Sequence, residues 1–435
     1  MRKLLLVGIV LFIGVSLSFA QMRIETSGYY EEVSISTEGQ SSAHMPEDDI
    51  DTLLKRADAN DIDAQLLLAH KYGKGIDVER NPLESVKWFQ KAALLKNVEA
   101  QFQLALAYDS GDGVRQDYEE AKKWYTSAAK QKDAQAQNNL GCLYLDGRGV
   151  KQNYKTAKKW FEGAAKKNNS NALVNLGALY VKGHGTKPDY NKALRYFEAS
   201  ASQNNIDAFN WLGVMYSGGI GVAQDAARAF GYFETAAAKG HPIAQYNLGV
   251  MYKNGAGVEQ NLEKAFEYFT LSAQQGYTPA LFYLGVAYQA GVAVEQNSMR
   301  AIECYETAAH EGNVDAQYNL AHMYEFGLGV DMDYVKAVQW YEAAAKQGDA
   351  GSQMSLGKLY YTGQGVAQDY KTAYQWFEKA AAQNLAEAKY NLGMMNLKGQ
   401  SVKENYTKAV LYFKDAAAGG NEDAIAALKT LGESL

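Results

Sequence analysis

Two tetrads in this chain have the spacing of a serine acyl-transfer site. Ser127-Ala128-Ala129-Lys130 and Ser355-Leu356-Gly357-Lys358 both read S-x-x-K, which sets a lysine near enough to take the serine proton. That chemistry needs companion motifs, and neither K-T-G nor S-D-N occurs anywhere in the 435 residues. Helices rich in Ser, Ala and Lys produce the tetrad by chance. A penicillin-binding or β-lactamase-like cell-wall hydrolase therefore stays only as the alternative reading. The six histidines (His44, His70, His184, His241, His310, His322) lie scattered, with no H-E-x-x-H and no Cys/His cluster. Gly-x-Gly turns recur, but no G-K-[ST] follows them at a helix start, so they do not read as phosphate loops. The expectation is a protein that is not an enzyme and holds no metal or cofactor.

The spacing that does recur is thirty-six residues. Ala64, Ala100, Ala136, Ala172, Ala208, Ala244, Ala280, Ala316, Ser352 and Ala388 open ten copies without an insertion or deletion, and a truncated copy starts at Ala424. A fixed period of this size marks a solenoid, whose units each contact mainly their neighbours. Leu follows at the fifth position of every copy, Gly or Ala beside it, and Tyr four residues after the leucine in nine copies, with Asn396 the exception. Steps of four place Ala, Leu and Tyr on one stripe of a first helix. A glycine ends that helix in every copy, from Gly75 to Gly399. Six residues later stands Asp or Asn (Asn81 through Asn405), an N-cap for a second helix. The second helix carries Ala, an aromatic pair and Ala-Ala, as in Ala157, Trp160-Phe161 and Ala164-Ala165, and the second ring is present in all ten copies. Rings set against alanines can be buried only when units stack. Cys142 and Cys304 lie four and a half copies apart, some 45 Å if each copy advances by about one 10 Å helix spacing, so they should not pair and read as buried inert thiols.

These residues resemble the Sel-1-like repeat. The string A-x-x-x-L-G-x-x-Y-x-x-G-x-G-V-x-x-D-x-x-x-A-x-x-W-[FY]-x-x-A-A is carried by Ala316 to Ala345, with Ala321 in the glycine slot. The resemblance covers residues 64–423. Asp77, Ala293 and Ser401 replace the second glycine and Thr186 the valine after it, as loop variation. The resemblance implies an all-α fold: an α/α superhelical solenoid of ten helix-turn-helix repeats, related to tetratricopeptide repeats. It implies further that the first helices line the concave side, with their third and fourth positions facing the groove. Those positions supply Phe102, Asn139, Asn175, Trp211, Tyr246, Asn247, Phe282, Tyr283, Tyr318, Asn319, Tyr390 and Asn391, an aromatic row beside an amide row suited to an extended peptide. Tyr246 to Asn319 is the favoured stretch. Both rows have a second reading: the asparagines can satisfy backbone groups between copies, and the rings can belong to the core.

Charge and termini complete the expectation. The net charge is −6, but residues 21–63 alone carry 11 acids against 3 bases, and residues 64–435 balance. Such a chain has no general affinity for nucleic acid. From Arg115 to Arg195, 16 bases face 7 acids, read as a solvated helix face or a landing patch for an acidic partner. Met1-Arg2-Lys3, an apolar run from Leu4 to Leu17, and Ser18-Phe19-Ala20 before Gln21 form an export signal too short for a membrane span. The organisation expected is a signal peptide over 1–20, an acidic leader over 21–45, a capping helix over 46–63, ten repeats over 64–423 and a C-terminal capping helix over 424–435. The mature chain should be exported without a membrane segment, to a bacterial periplasm or beyond. Bacterial relatives imply a protein-binding scaffold in envelope signalling, surface assembly or host contact. Asn168-Asn169-Ser170 and Asn405-Tyr406-Thr407 keep a lumenal eukaryotic adaptor as a further option.

Overall fold

The computed structural model describes residues 49–434. The export signal and acidic leader lie outside the described residues, as does the start of the 46–63 segment. Among the described residues there are twenty-two α-helices and no strand. The protein is an all-α solenoid of helix-turn-helix repeats. It divides into two compact units, one up to Lys239 and one from Gly240. The first holds a leading helix, Ile50–Asp58, and repeats 1–5. The second holds repeats 6–10 and a final helix, Glu422–Thr430.

Repeat 3 shows how the sequence produces the unit. Its first helix, Ala134–Asp146, starts where the Asp133 carboxylate accepts a bond from the Ala136 N–H, and ends at Gly147, whose φ of 75° no Cβ-bearing residue adopts cheaply. In the loop the Asn153 N–H donates to the Tyr144 carbonyl at 2.8 Å, and the Gln152 side chain donates to the Leu145 carbonyl at 2.8 Å. Asn153 then caps the second helix, Tyr154–Ala165, by accepting from the Thr156 N–H. The expected Asp or Asn caps all ten second helices in this way. The first helix of repeat 10 departs from the expected end: it stops at Leu397 with Lys398 as its cap, and Gly399 makes the left-handed turn one residue later.

The glycine beside the leucine has a packing cause. A Cβ at Gly141 would come 2.5 Å from the Phe161 ring, which is fully buried. The second ring of the pair occupies that space, so the helix accepts a residue about 1 kcal/mol worse than alanine. The second glycine of the loop serves a different contact. At Gly149 a Cβ would lie 2.6 Å from the carbonyl carbon of Tyr118, at the start of the previous repeat's second helix. Asp77, Ala293 and Ser401 keep the left-handed backbone there, with φ of 59°, 62° and 68°, so these variants carry conformational cost.

Three further regularities were not read from the sequence. First helices have their own caps, from Asp61 through Asn313 and Asp349, with His241 capping through its imidazole. Tyr277 and Leu385 break that series and leave their helices without a side-chain cap bond. Buried Gln65, Gln101, Gln137, Gln317 and Gln353 each donate to a carbonyl eight residues earlier, tying one repeat to the end of the previous one. Finally, where the buried ring is tyrosine, the first helix supplies an acceptor. Tyr125 donates to Asp109, Tyr305 to Gln289 and Tyr341 to Glu325. In the phenylalanine repeats that position is Gly73, Leu145, Val181, Ser217, Lys253, Tyr361 or Leu397. A buried hydroxyl without a partner costs more than the ring gains from carrying it.

Candidate functional site

Neither serine tetrad is assembled as a nucleophile with a free base. The Ser127 hydroxyl donates to the Lys123 carbonyl of its own helix at 3.0 Å, and Lys130 is exposed. Lys358 is paired with Glu387 of the next repeat. Both cysteines are free thiols. Burial pushes Cys142 up to about 12 and Cys304 up to about 11, which keeps both from the reactive thiolate form. Cys304 is only partly buried, short of the buried position expected for it. Among the described residues no group of three His, Cys, Asp or Glu could hold a metal ion, and no helix is long and apolar enough to cross a membrane.

The rows on the first helices are the remaining candidate, and the two units treat them differently. In the first unit Phe102 is buried against the Tyr125 ring, with centroids 6.0 Å apart. Trp211 is buried flat on Phe197, 5.3 Å away and 5° from parallel. Asn139, half-buried, donates to the Tyr125 hydroxyl at 3.2 Å and accepts from Asn138 at 3.2 Å. Asn175 of the next repeat donates to Asn138 at 3.0 Å and to the Cys142 sulfur at 3.7 Å. These amides form a chain across repeats 3 and 4 that satisfies itself.

In the second unit the third-position ring leans on the buried ring of its own repeat. Tyr246 lies 5.9 Å from Phe269, Phe282 6.1 Å from Tyr305, Tyr318 5.7 Å from Tyr341 and Tyr390 5.8 Å from Phe413. Phe282 is buried, whereas Tyr246, Tyr318 and Tyr390 keep part of their surface. Tyr283 stacks on Phe269 at 4.6 Å and stays half-buried. Asn247 is buried, Asn319 is half-buried and bonded to Tyr305, and Asn391 donates to the Glu387 carbonyl at 2.9 Å. Burial holds the Tyr246, Tyr283 and Tyr318 phenols above their usual range, and nearby carboxylates add to it. Burial also lowers His322, which sits between Tyr318 and the exposed Phe326.

Five of the twelve expected contact residues thus stand in the core. Phe102, Trp211 and Phe282 pack there because they fill space between helices, Asn175 is buried against Asn138 and Cys142 of the previous first helix, and Asn247 is buried as well. Their surface is not offered to a ligand in this conformation. The seven with accessible surface are Asn139, Tyr246, Tyr283, Tyr318, Asn319, Tyr390 and Asn391. Tyr277, which the sequence reading missed, joins them: its ring meets Tyr246 edge-on at 5.2 Å. The broken cap at that position was the available signal.

The repeat geometry, with its caps, glycines and ring pairs, has counterparts among known proteins. The family model for the Sel1 repeat matches ten consecutive segments from residues 62–97 to residues 386–421. A crystal structure of a protective antigen of uropathogenic Escherichia coli, described as displaying an SLR fold, is 36% identical with a TM-score of 0.69. The match covers 86% of this chain and 80% of that one. A Sel1 repeat protein from Oxalobacter formigenes is 31% identical over 56% of this chain and 96% of its own, with a TM-score of 0.52. No curated protein matches this chain by sequence. Ten matched segments in unbroken register, folded as the pattern requires, make this chain a member of the Sel1 repeat family.

Proposed function

We propose that the protein is an exported, non-enzymatic scaffold that holds a peptide or protein partner on the first-helix face of its repeats. The observation that supports this reading most is the part-exposed row of Tyr246, Tyr283, Tyr318 and Tyr390 beside Asn319 and Asn391. Tyrosine offers a large contact area with few rotors, and asparagine offers a donor and an acceptor to an extended backbone. Repeat solenoids of this kind present extended binding surfaces. The export pattern of residues 1–20 favours a periplasmic or secreted setting, with roles in envelope signalling or host contact. The protective antigen among its structural relatives is in keeping with an exposed location.

The test is capture of a partner by the purified mature protein from its own envelope fraction, followed by mass spectrometry. A triple Tyr246→Ala, Tyr318→Ala, Tyr390→Ala variant should keep its helical circular dichroism and lose the captured partner. A folded triple variant that retains every partner would remove the first-helix face from the proposal.

A further inference from the structure

We infer that two copies of this chain pair through the exposed faces of their second helices, with repeat 5 meeting itself at a two-fold axis. Repeats 3 and 4 of each copy then lie on repeats 7 and 6 of the other. This goes beyond the scaffold reading, which uses the first helices.

One register of the second helix carries the argument, the position two residues before the buried second ring. It is exposed in all ten repeats. It is basic in repeats 1–4, ending in Lys159 and Arg195, and glycine in repeat 5, at Gly231. It is acidic in repeats 6 and 7, at Glu267 and Glu303, and uncharged in repeats 8–10. The sign of the charge therefore reverses about Gly231. Arg195 stands one repeat before it and Glu267 one repeat after, while Lys159 and Glu303 stand two repeats before and after. A two-fold axis along the second helix of repeat 5 reverses the order of repeats in the second copy. It sets Arg195 of one copy against Glu267 of the other and Lys159 against Glu303, each pair made twice.

These four charges are not used within the chain. Among the described residues none of them forms an ion pair. The cations one turn before the glutamates, Lys264 and Arg300, are drawn instead to the rings of Tyr252 and Tyr288. Lys87 and Lys123 behave differently. They pair with Glu84 and Glu120 of their own helices, and the repeats that mirror theirs, 9 and 8, carry only glutamine at this register. The basic residues that would face an acid in a second copy are the ones left unpaired.

Gly231 is an independent observation. Glycine is the poorest helix former after proline, and the other nine repeats carry a long side chain at this register. Gly141 must lack a Cβ because of the Phe161 ring, whereas a Cβ at Gly231 would meet nothing within 4 Å. Packing within the chain thus gives no reason for this glycine. Ala227 and Ala238 extend the small exposed surface along the same helix. On a two-fold axis a residue meets its own copy, so bare backbone there lets the two helices close in and the flanking charges reach each other. A long side chain would meet itself and hold them apart.

The test is sedimentation equilibrium of the purified protein at low and high salt. A dimer should form at low salt and weaken by about tenfold or more in about 0.5 M NaCl, which screens exposed pairs. Gly231→Lys should abolish the dimer while the melting temperature holds or rises, since lysine is the better helix former, so the loss cannot come from unfolding. Arg195→Glu and Glu267→Arg should each weaken the dimer by about tenfold. Mixing those two variants, or combining both changes in one chain, should restore it, because the reversed charges then face each other. A monomer at low salt and the highest soluble concentration would overturn the inference. So would a dimer that tolerates Gly231→Lys, or opposed reversals that fail to restore each other. Each of these outcomes leaves the scaffold reading to the capture experiment.

Discussion

Repeats 1–5 carry Leu66, Phe102, Asn138, Val174 and Asn210 at the third position of their first helices, and repeats 6–10 carry Tyr246, Phe282, Tyr318, Met354 and Tyr390. In the first unit all but Leu66 are buried. In the second, the three tyrosines stay at the boundary with solvent, since a phenol body prefers the core and its hydroxyl prefers water or a partner. The frame around them is the same in both units: equal spacing, the same second-helix caps and a ring over a small residue. The third position therefore varies along this chain while the frame around it stays the same. The comparison teaches where this architecture is constrained and where it is free.

The largest expected effect tests the common frame. Phe161→Ala in the first unit and Phe377→Ala in the second should each cost about 3–5 kcal/mol in denaturant unfolding, because both remove a fully buried ring. A loss under about 1 kcal/mol in only one unit would mean the two frames are not equivalent.

Next comes the pairing of hydroxyl and acceptor. Phe161→Tyr should cost about 1–3 kcal/mol by placing a buried hydroxyl beside Leu145, whose side chain offers no acceptor. Adding Leu145→Gln, the arrangement of Gln289 and Tyr305, should recover much of that loss. Absence of coupling between the two substitutions would break the rule that links these positions.

A smaller effect comes from the loop. Ala293→Gly should raise stability by about 1 kcal/mol, since Ala293 holds a left-handed backbone that glycine adopts freely. Thermal melting would show it; a lower melting point would mean the Ala293 methyl contributes more than the strain costs.

The last prediction has no effect near neutrality. In the second unit Tyr246, Tyr283, Tyr305, Tyr318 and Tyr341 are held above the usual 10.0, mainly by burial. Unfolded phenols ionise near that value and these do not, so their stabilising contribution is full below it and is lost as pH rises above it. In the first unit, among the described residues, Tyr196 and Tyr232 are shifted the same way. Alkaline titration should therefore unfold the second unit first, with phenolate absorbance rising at the same pH as helicity falls. Ionisation of those phenols with helicity intact would contradict the burial seen here.

Much of the frame was legible because each of its signals is local and repeated ten times. The caps from Asn81 to Asn405, the ending glycines and the Ala-Leu-Tyr stripe each follow from backbone chemistry within a few residues. The twelve candidate contacts were harder, because helical register puts a side chain on a face without saying how far the neighbouring repeat covers it. Phe102 and Tyr246 occupy the same register, yet one is buried and the other keeps exposed surface. Tyr277 was legible as a departure from the Asp/Asn series, once the first-helix caps were known.

Sequence alone determined the period, the helix pair and the membership in a stacked family, since these rest on spacings that any one copy repeats. The tertiary structure decided which rings are core and which are surface, why Gly141 must lack a Cβ, and which acceptor serves which tyrosine. The reason is physical: those outcomes depend on contacts between helices, where a few tenths of an ångström separate a packed ring from a clash, and no single helix carries that information.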